Sequence, residues 1–298
     1  LLTSPLEVGT VKQTYSGKIK TVYSRKDVIQ TLRKYFRGKK VGLNLNYMTA
    51  GQHATLKKLF PNTKFVDVSA PLYASREIKT KEELKKLKEA VKITQDVVKK
   101  IPHMVKSHMS EIQLAAEIDY AFAREGCSPS FTTIVAFGKN STNIHHFNSH
   151  QKLQKGNNVL VDCGAKYEGY CADLSRTFVY EKANEEQHAW YEKCVHAQTA
   201  AFKKIKPKMK AKEAFLVAEK KLGKKIPHAL GHGIGLEVHD VPGAIHAHAE
   251  WTFNAGMAIA VEPGYYGKKW GIRIEDDAII TKNGCNQLSF APKKLVEI

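Results

Sequence analysis

Five residues in the last 140 positions have side chains that divalent metal ions bind, in the order Asp, Asp, His, Glu, Glu. They are Asp162, Asp173, His232, Glu262 and Glu275. Four carboxylates and one imidazole suit two hard or borderline ions that share carboxylate oxygens. Two such ions, roughly 3.5–4 Å apart, activate a water molecule that hydrolyses an amide or an ester. These residues therefore predict a two-metal hydrolase.

The two aspartates stand eleven residues apart in VDCGAKYEGYCADLSRTF. This spacing fits neighbouring antiparallel strands with a turn at residues 166–169, so that both carboxylates can face one cleft. Two aspartates in a hairpin are usually surface residues, but Asp162 follows an apolar run and needs a metal or an arginine as its partner. Cys163 points to the opposite face of the strand, so we expect a packed thiol there and not a ligand.

Three histidines lie within twelve residues in HALGHGIGLEVHD. They are His228, His232 and His239, and the glycines among them do not favour a helix. A single histidine in this setting is more often a core residue, but the cluster favours a metal or substrate site. His232 is the best candidate ligand, and His239, seven residues later, is better placed to contact a substrate.

The two glutamates lie in predicted strands near the end of the chain. Glu262 precedes Pro-Gly at the end of MAIAV, and Glu275 lies in GIRIEDDAII beside Arg273. The alternative for Glu275 is an ion pair with Arg273 or a neighbouring lysine, because a buried glutamate needs a partner. The metal hypothesis alone accounts for all five residues together.

These five segments together resemble the pita-bread metallopeptidase family, which includes methionine aminopeptidases, aminopeptidase P and Xaa-Pro dipeptidases (prolidases). The resemblance covers residues 79–298, and GIRIEDD is similar to the Xaa-Pro branch, with an archaeal or bacterial prolidase-like enzyme as the best match. It implies an α+β fold with a pita-bread catalytic domain at residues 79–298. Residues 1–78 look like a shortened form of the N-terminal α/β domain of the Xaa-Pro members, incomplete at its start.

The resemblance also implies a role for each ligand. Asp162 would bind one metal ion, Asp173 and Glu275 would bridge both ions, and His232 and Glu262 would complete the second. The cofactors are therefore two divalent ions, and Mn, Co and Zn all remain open.

Further site residues follow from the same resemblance. The segment GKNSTNIHHFNS is similar to the family pattern NSALPH and selects His145 over His146, although the chain has Ile144 where the family usually has proline. His145 and His239 would line the substrate site.

The remaining roles concern the edge of the site and proton transfer. His228 would lie at the edge of the substrate site, and Arg273 would orient the ligands or bind a substrate carboxylate. Glu262 would carry a proton to the leaving proline nitrogen, and His239 would stabilise the developing oxyanion.

The predicted activity is hydrolysis of the Xaa-Pro bond in a peptide with proline at its second position. Dipeptidase activity is favoured, and aminopeptidase P activity on longer peptides stays open. The rival from another class is a non-catalytic protein of this fold that binds nucleic acid or protein. Residues 1–78 carry fourteen Lys/Arg and four Asp/Glu of a chain whose net charge is +18. No nucleic-acid motif accompanies that charge, so a solvated lysine-rich face is the simpler interpretation.

Composition limits the remaining classes. The 298 residues are 43% hydrophobic, and no apolar run approaches the ~20 residues of a membrane span. The five cysteines form no CxxC pair, which favours a reducing compartment, and we expect a cytoplasmic enzyme. A homodimer is expected from the resemblance. Since the chain begins with Leu and not Met, we expect that residues have been lost from its start.

Local signals predict several helix boundaries. Thr80 with Glu83 and Ser110 with Gln113 match capping boxes at the starts of two helices. Asp27 is predicted to cap an earlier helix that ends at Gly38. Two helices followed by strands occur twice in residues 80–280, which suggests an internal duplication in element order.

Overall fold

A computed structural model describes residues 1–36, 40–289 and 292–298. The chain divides into two compact units, Leu1–Tyr73 and Ala74–Ile298. Within the described ranges, no helix is both long enough and apolar enough to cross a membrane.

The first unit alternates short strands and helices. Its elements are β1 (Leu2–Thr3), α1 (Val8–Thr14), β2 (Lys20–Thr21), α2 (Arg25–Phe36), β3 (Lys40–Leu43), α3 (Ala50–Leu59) and β4 (Lys64–Asp67), and α4 (Ser69–Glu77) continues into the second unit. Both of its strand pairs are parallel, β1 with β2 and β3 with β4. Parallel pairs need a connection that returns the chain to the same end of the sheet, and the helices between these strands provide it.

The predicted start of α2 is wrong by a few residues. The helix begins at Arg25, and the Asp27 amide donates to Ser24 Oγ at 3.1 Å, so Ser24 is the capping side chain. Asp27 lies in the first turn, where its carboxylate accepts from the Tyr23 amide at 3.1 Å. A Ser-x-x-Asp sequence lets either residue act as a cap, and the bond that the Ser24 hydroxyl accepts from the Asp27 amide favours the serine. The predicted end at Gly38 lies outside the described residues.

The second unit contains two helix pairs, each followed by antiparallel strands. Its first half has α5 (Lys81–Met104), α6 (Glu111–Arg124), β5 (Ser128–Pro129), β6 (Ile134–Phe137), a 3₁₀ helix (Gly138–Thr142), β7 (Asn158–Cys163), β8 (Ala165–Tyr167), β9 (Tyr170–Cys171) and β10 (Leu174–Val179). Its second half has α7 (Glu185–Lys204), α8 (Ala211–Leu222), β11 (Gly231–Gly233), β12 (Asp240–Ile245), β13 (Ala258–Val261), β14 (Gly264–Tyr266), β15 (Gly271–Arg273), β16 (Asp276–Ile280) and β17 (Cys285–Gln287).

The sheets follow the same duplicated plan. In the first half the strand order is β10-β7-β6, and in the second it is β12-β11-β13-β16-β17. The hairpin partners β7 and β10 in one half correspond to β13 and β16 in the other, and both pairs are antiparallel. Each helix pair packs on its own buried apolar cluster, α5 and α6 on one and α7 and α8 on the other.

Equivalent backbone bonds recur one hundred residues apart. The Leu153 amide donates to the Met109 carbonyl at 2.9 Å, and the Phe253 amide donates to the Met209 carbonyl at 3.0 Å. Both bonds fasten the loop between two helices to the segment that leads into the strands. The predicted internal duplication is therefore present in hydrogen bonding as well as in element order.

The predicted capping boxes of α5 and α6 are confirmed. Thr80 and Glu83 exchange the two reciprocal bonds at the start of α5, and Ser110 and Gln113 do so at the start of α6. These caps fix where each long helix begins. Their apolar faces then cover the β6–β7–β10 sheet, whose hairpin contributes to the site below.

Candidate metal centre

Two hairpins, one from each half, place the four candidate carboxylates. Asp162 lies near the end of β7 opposite Ser175, and Asp173 directly precedes β10. The predicted turn between these strands is the β8–β9 hairpin, in which Tyr167 pairs with Tyr170. Glu262 directly follows β13, and Glu275 directly precedes β16. The duplication therefore brings one acidic residue to each of four strand ends.

The predicted strand GIRIEDDAII is interrupted. It forms β15 and β16, with Ile274 and Glu275 between them, and the Ile274 amide donates to the Pro263 carbonyl at 3.3 Å. The Glu275 amide leaves its own sheet and donates to the Ser175 carbonyl of the first hairpin at 3.1 Å. This bond joins the two hairpins and turns the Glu275 side chain towards the aspartates.

The fifth candidate, His232, is the middle residue of β11 and lies between the two glycines of that strand. A Cβ atom on Gly231 would lie 2.0 Å from the Ala260 carbonyl oxygen, so only glycine permits this approach to β13. The His232 Nδ1 lies 3.1 Å from the Gly233 carbonyl, which fixes the ring and leaves Nε2 facing the carboxylates.

All five candidate ligands line one cavity of about 120 Å³. The His232 Nε2 lies 3.5 Å from Asp173 Oδ2, 3.9 Å from Glu275 Oε1 and 4.0 Å from Glu262 Oε1. Ligand atoms of Asp173, His232 and Glu275 all lie within 4.8 Å of one another. The sequence-predicted ligands are therefore brought together, with those three nearest one another.

Asp162 is held by Arg273. The Arg273 Nη2 donates to Asp162 Oδ2 at 2.6 Å, and Nε donates to Ser175 Oγ at 2.8 Å. The Ser175 hydroxyl in turn donates to Glu275 Oε2 at 2.8 Å. The direct ion pair of Arg273 is thus with Asp162, and the alternative that paired Glu275 with Arg273 is wrong, because Ser175 stands between them.

The other terminal nitrogen of Arg273 is also occupied by the protein. Its Nη1 donates to the Ile144 carbonyl at 3.1 Å and to the Tyr266 hydroxyl at 3.0 Å. The guanidinium is almost completely buried. This geometry favours an orienting role for Arg273 over binding of a substrate carboxylate.

The electrostatics of the cluster follow from burial and like charge. Burial raises the pKa of Glu262 to about 8. Burial and the charge of Glu275 raise the pKa of Asp173, while burial and the charge of Glu262 raise that of Glu275. Burial and the nearby His239 lower the pKa of His232 to about 3, so its imidazole is neutral and can act as a ligand.

Buried oxygens without partners identify what this site fits. Among the described residues, Asp162 Oδ1, Asp173 Oδ1 and Glu275 Oε1 are buried and accept no hydrogen bond. A buried carboxylate oxygen without a donor is costly, and here three face the same cavity as a neutral imidazole. Carboxylate oxygens with one imidazole fit a divalent metal ion.

We predict that the metal-free protein loses stability between about pH 6.5 and about pH 8. Glu262 ionises near its ordinary value of 4.5 in the unfolded chain but only near 8 in the folded one, so the unfolded state binds fewer protons in this window. His228 and His232, whose pKa values are lowered from 6.5, act in the opposite direction, but only below 6.5.

Thermal unfolding in chelator, measured across that window, tests this prediction. Glu262→Gln should make the dependence on pH shallower, because one of the carboxylates whose pKa rises on folding is gone. A stability that rises with pH in wild type, or an unchanged slope in the variant, would contradict it.

The predicted substrate-site histidines occupy different places. His145 and His239 line the cavity, and the His239 ring packs at 4.3 Å, edge to face, on His232. His146 points away, with Nε2 at 2.8 Å from Glu111 Oε2. His228 is not among the residues that line the cavity, and it lies behind Glu262 with its Nδ1 4.0 Å from Glu262 Oε2.

Sequence reasoning missed several residues of the site. Ser175 and Tyr266 hold Arg273, and an apolar wall is formed by residues from four segments. The wall residues are Phe131, Ile134, Ile144 and Val238. Ser175 could have been found, because it lies two residues after Asp173 on the same side of an alternating strand. Tyr266 carries no such signal. Cys163 is buried in the core, as predicted.

Comparison with known proteins shows that the chain is similar to peptidases. Residues 85–282 match metallopeptidase family M24, and residues 1–78 match the creatinase/prolidase N-terminal domain. The chain is 36% identical over 265 residues to the uncharacterized peptidase YqhT of Bacillus subtilis, covering 87% of this chain and 75% of that protein.

Two further relatives carry named activities. The chain is 35% identical over 248 residues to an Xaa-Pro dipeptidase of Pyrococcus horikoshii, covering 81% of this chain and 70% of that protein. It is similar in structure to an X-Pro aminopeptidase from Thermotoga maritima, with a TM-score of 0.93 and 28% identity, covering 100% of this chain and 87% of that one.

Proposed function

Because the chain belongs to metallopeptidase family M24, we propose that it is an exopeptidase that uses two divalent metal ions to hydrolyse the Xaa-Pro peptide bond. Xaa-Pro dipeptides are the proposed substrates, as for the archaeal dipeptidase that it resembles. The observation that carries the proposal is the meeting of all five candidate ligands at one small cavity.

Membership in the family confirms the predicted resemblance, the α+β pita-bread class and a metal-dependent peptidase activity. The burial of three carboxylates, with Glu262 largely buried beside them, also argues against the non-catalytic alternative, because that alternative gives no reason for this cluster. Uncompensated buried carboxylates cost stability, and a metal-binding function accounts for their presence.

We assign Asp162, Asp173 and Glu275 to one metal ion and Asp173, His232, Glu262 and Glu275 to the other. The two shared residues would be Asp173 and Glu275, which lie nearest the histidine nitrogen of the predicted ligands. When bound, divalent ions of this kind lower the pKa of a water molecule and polarise a carbonyl group. Mn, Co and Zn are all compatible with this donor set.

The surrounding residues supply proton transfer and orientation. The leaving nitrogen of an amide must gain a proton before the C–N bond breaks, and this holds for the tertiary prolyl nitrogen as well. Glu262, on the cavity wall, is the proposed carrier of that proton. His145 and His239 are proposed to donate hydrogen bonds to the carbonyl oxygen, where negative charge develops.

The size of the cavity favours short peptides. Its volume of about 120 Å³ is below the range of about 300–1,000 Å³ typical of ligand pockets. Phe131, Ile144 and Val238 form an apolar wall against which a proline ring can pack without an unpaired donor. A second peptide unit after proline would have to extend beyond this space.

Hydrolysis of Ala-Pro is expected to depend on added Mn²⁺ and to stop in chelator. Ala-Pro-Ala tests the aminopeptidase P alternative, and Ala-Ala, which lacks the prolyl ring, serves as the matched control. Cleavage of Ala-Pro alone supports the dipeptidase, whereas efficient cleavage of Ala-Pro-Ala moves the assignment to aminopeptidase P. No cleavage of either proline peptide by metal-loaded protein would overturn the proposed function.

We further propose that residues 1–78 form the N-terminal domain and residues 79–298 the catalytic domain. Support comes from the two family matches, which end at residue 78 and begin at residue 85. Homodimer formation and a cytoplasmic location stay predictions.

A further inference from the structure

Glu111 is a fully buried carboxylate outside the metal centre that accepts five hydrogen bonds. It is the first residue of α6, where the helix N-terminus favours negative charge. Every donor belongs to one short segment of chain, residues 137–149. The donors are the Phe137 amide at 2.7 Å, Asn140 Nδ2 at 2.9 Å, His146 Nε2 at 2.8 Å, the Ser149 amide at 2.9 Å and Ser149 Oγ at 2.6 Å.

The middle of that segment forms part of the cavity wall. His145 and Ile144 line the cavity, between donors that precede and follow them in the chain. The Ile144 carbonyl accepts a bond from Arg273, which holds Asp162. The segment therefore runs between two anchors, Glu111 on the helix side and Arg273 on the site side.

Few other side chains could accept all the hydrogen bonds that the Glu111 carboxylate accepts. Burial opposes its ionisation, yet hydrogen bonds from Ser149, Phe137, His146 and Asn140 hold the pKa of Glu111 below its ordinary value. A carboxylate can accept several donors at once because it has two oxygens and no hydrogen of its own. A glutamine of the same size would present an NH₂ group to donors that require an acceptor.

We propose that Glu111 is the positioning residue for His145, holding the imidazole at the reacting carbonyl through the 137–149 segment. This inference rests on the proposed peptidase function for its kinetic consequence. A carboxylate that only stabilised the fold would affect every active-site residue alike. A carboxylate that acts through His145 loses its catalytic effect once His145 is removed.

A double-mutant cycle separates these two roles. Glu111→Gln is expected to lower kcat/KM on Ala-Pro by about 100-fold, since misplacing a catalytic group by about 1 Å costs that much. In a His145→Ala background the same substitution should lower kcat/KM by no more than about 2-fold, because interacting residues are not additive. Glu117→Gln, an exposed glutamate on the same helix, is the matched control and should leave both rates unchanged.

Hydrogen exchange provides a measurement that uses no substrate. In metal-free Glu111→Gln, peptides covering residues 137–149 should exchange faster than in wild type or Glu117→Gln, with no change around β13 and β16. Equal rate losses in both backgrounds of the cycle, or unchanged exchange in residues 137–149, would overturn the positioning role.

Two further controls keep the result interpretable. If Glu111→Gln does not fold, Ser149→Ala takes its place in the same double-mutant cycle, because it removes one donor to Glu111. The positioning role then requires that Ser149→Ala lower kcat/KM less in the His145→Ala background than in wild type. If wild-type protein does not cleave Ala-Pro, the proposed function fails on its own. The exchange result then still decides whether Glu111 holds the segment.

Discussion

Asp173→Asn is expected to abolish metal-dependent peptidase activity and, at the same time, to stabilise the metal-free protein. The variant removes one of four carboxylates that surround His232, and burial with their mutual repulsion raises the pKa of this group. Replacing this buried carboxylate by a neutral amide of nearly the same shape removes that repulsion and the cost of burying the charge, so the metal-free variant should be more stable than wild type. If Asp173 binds both ions as proposed, its loss should leave only background hydrolysis.

Thermal unfolding with and without Mn²⁺ measures both effects. Wild type should gain stability from the metal, because an ion that binds only the folded state shifts the unfolding equilibrium. The melting temperature of Asp173→Asn in chelator should be higher than that of wild type, and it should rise little when Mn²⁺ is added. The matched control is Asp96→Asn, which changes an exposed ion pair on α5 and should leave both melting temperatures unchanged. A metal-induced shift of wild-type size in Asp173→Asn would remove Asp173 from the ligand set.

The five candidate ligands could be selected from the sequence because each lies in a strongly patterned segment. The apolar runs of β7 and β13 have strand length, and each is followed directly by an acidic residue, Asp162 or Glu262. An acidic residue directly after such a run is unusual enough to be recognised. The glycines around His232 argued against a helix there, and the segment does form a strand, in which Gly231 closely approaches the Ala260 carbonyl. Such signals are local, and a single sequence carries them.

The network behind the ligands was less accessible, since it joins residues that are distant in the chain. Ser175 and Arg273 are separated by 98 positions, and their bond forms only because two hairpins related by duplication lie back to back. The break between β15 and β16 has the same origin, because Glu275 bonds to the other hairpin. No period in the sequence encodes a contact of this kind. Glu111 was likewise predicted only as part of a helix start, with no sign of the segment that it binds.

Short elements with weak signals were also missed. The helix Val8–Thr14 has no side-chain cap at its start and no buried residue, so neither capping nor periodicity marks it. Its stability depends on neighbours within the first unit and not on its own sequence. By contrast, α5 and α6 combine a capping box with a buried apolar face, and both were predicted.

Arg273→Met is expected to be the most destabilising substitution at the site. Within the described ranges, Arg273 is the cation in ion-pair contact with Asp162, and it donates four hydrogen bonds, two of them to buried acceptors. Removing one partner of a buried pair leaves an uncompensated charge and costs about 3–5 kcal/mol. Asp162 and Ser175 would lose their orientation, so the activity of the metal-loaded protein should fall as well.

Arg273→Lys decides whether charge or shape is required. Lysine keeps the positive charge, but its ammonium cannot reach Ser175, Asp162, Ile144 and Tyr266 together as the planar guanidinium does. We therefore expect Arg273→Lys to recover part of the stability lost in Arg273→Met, measured by denaturant unfolding in chelator, but little of the activity on Ala-Pro. Lys268→Met, an exposed cation on the loop before β15, is the matched control. Full activity in Arg273→Lys would mean that the charge alone holds Asp162, and the orienting role that the guanidinium geometry indicates would then be wrong.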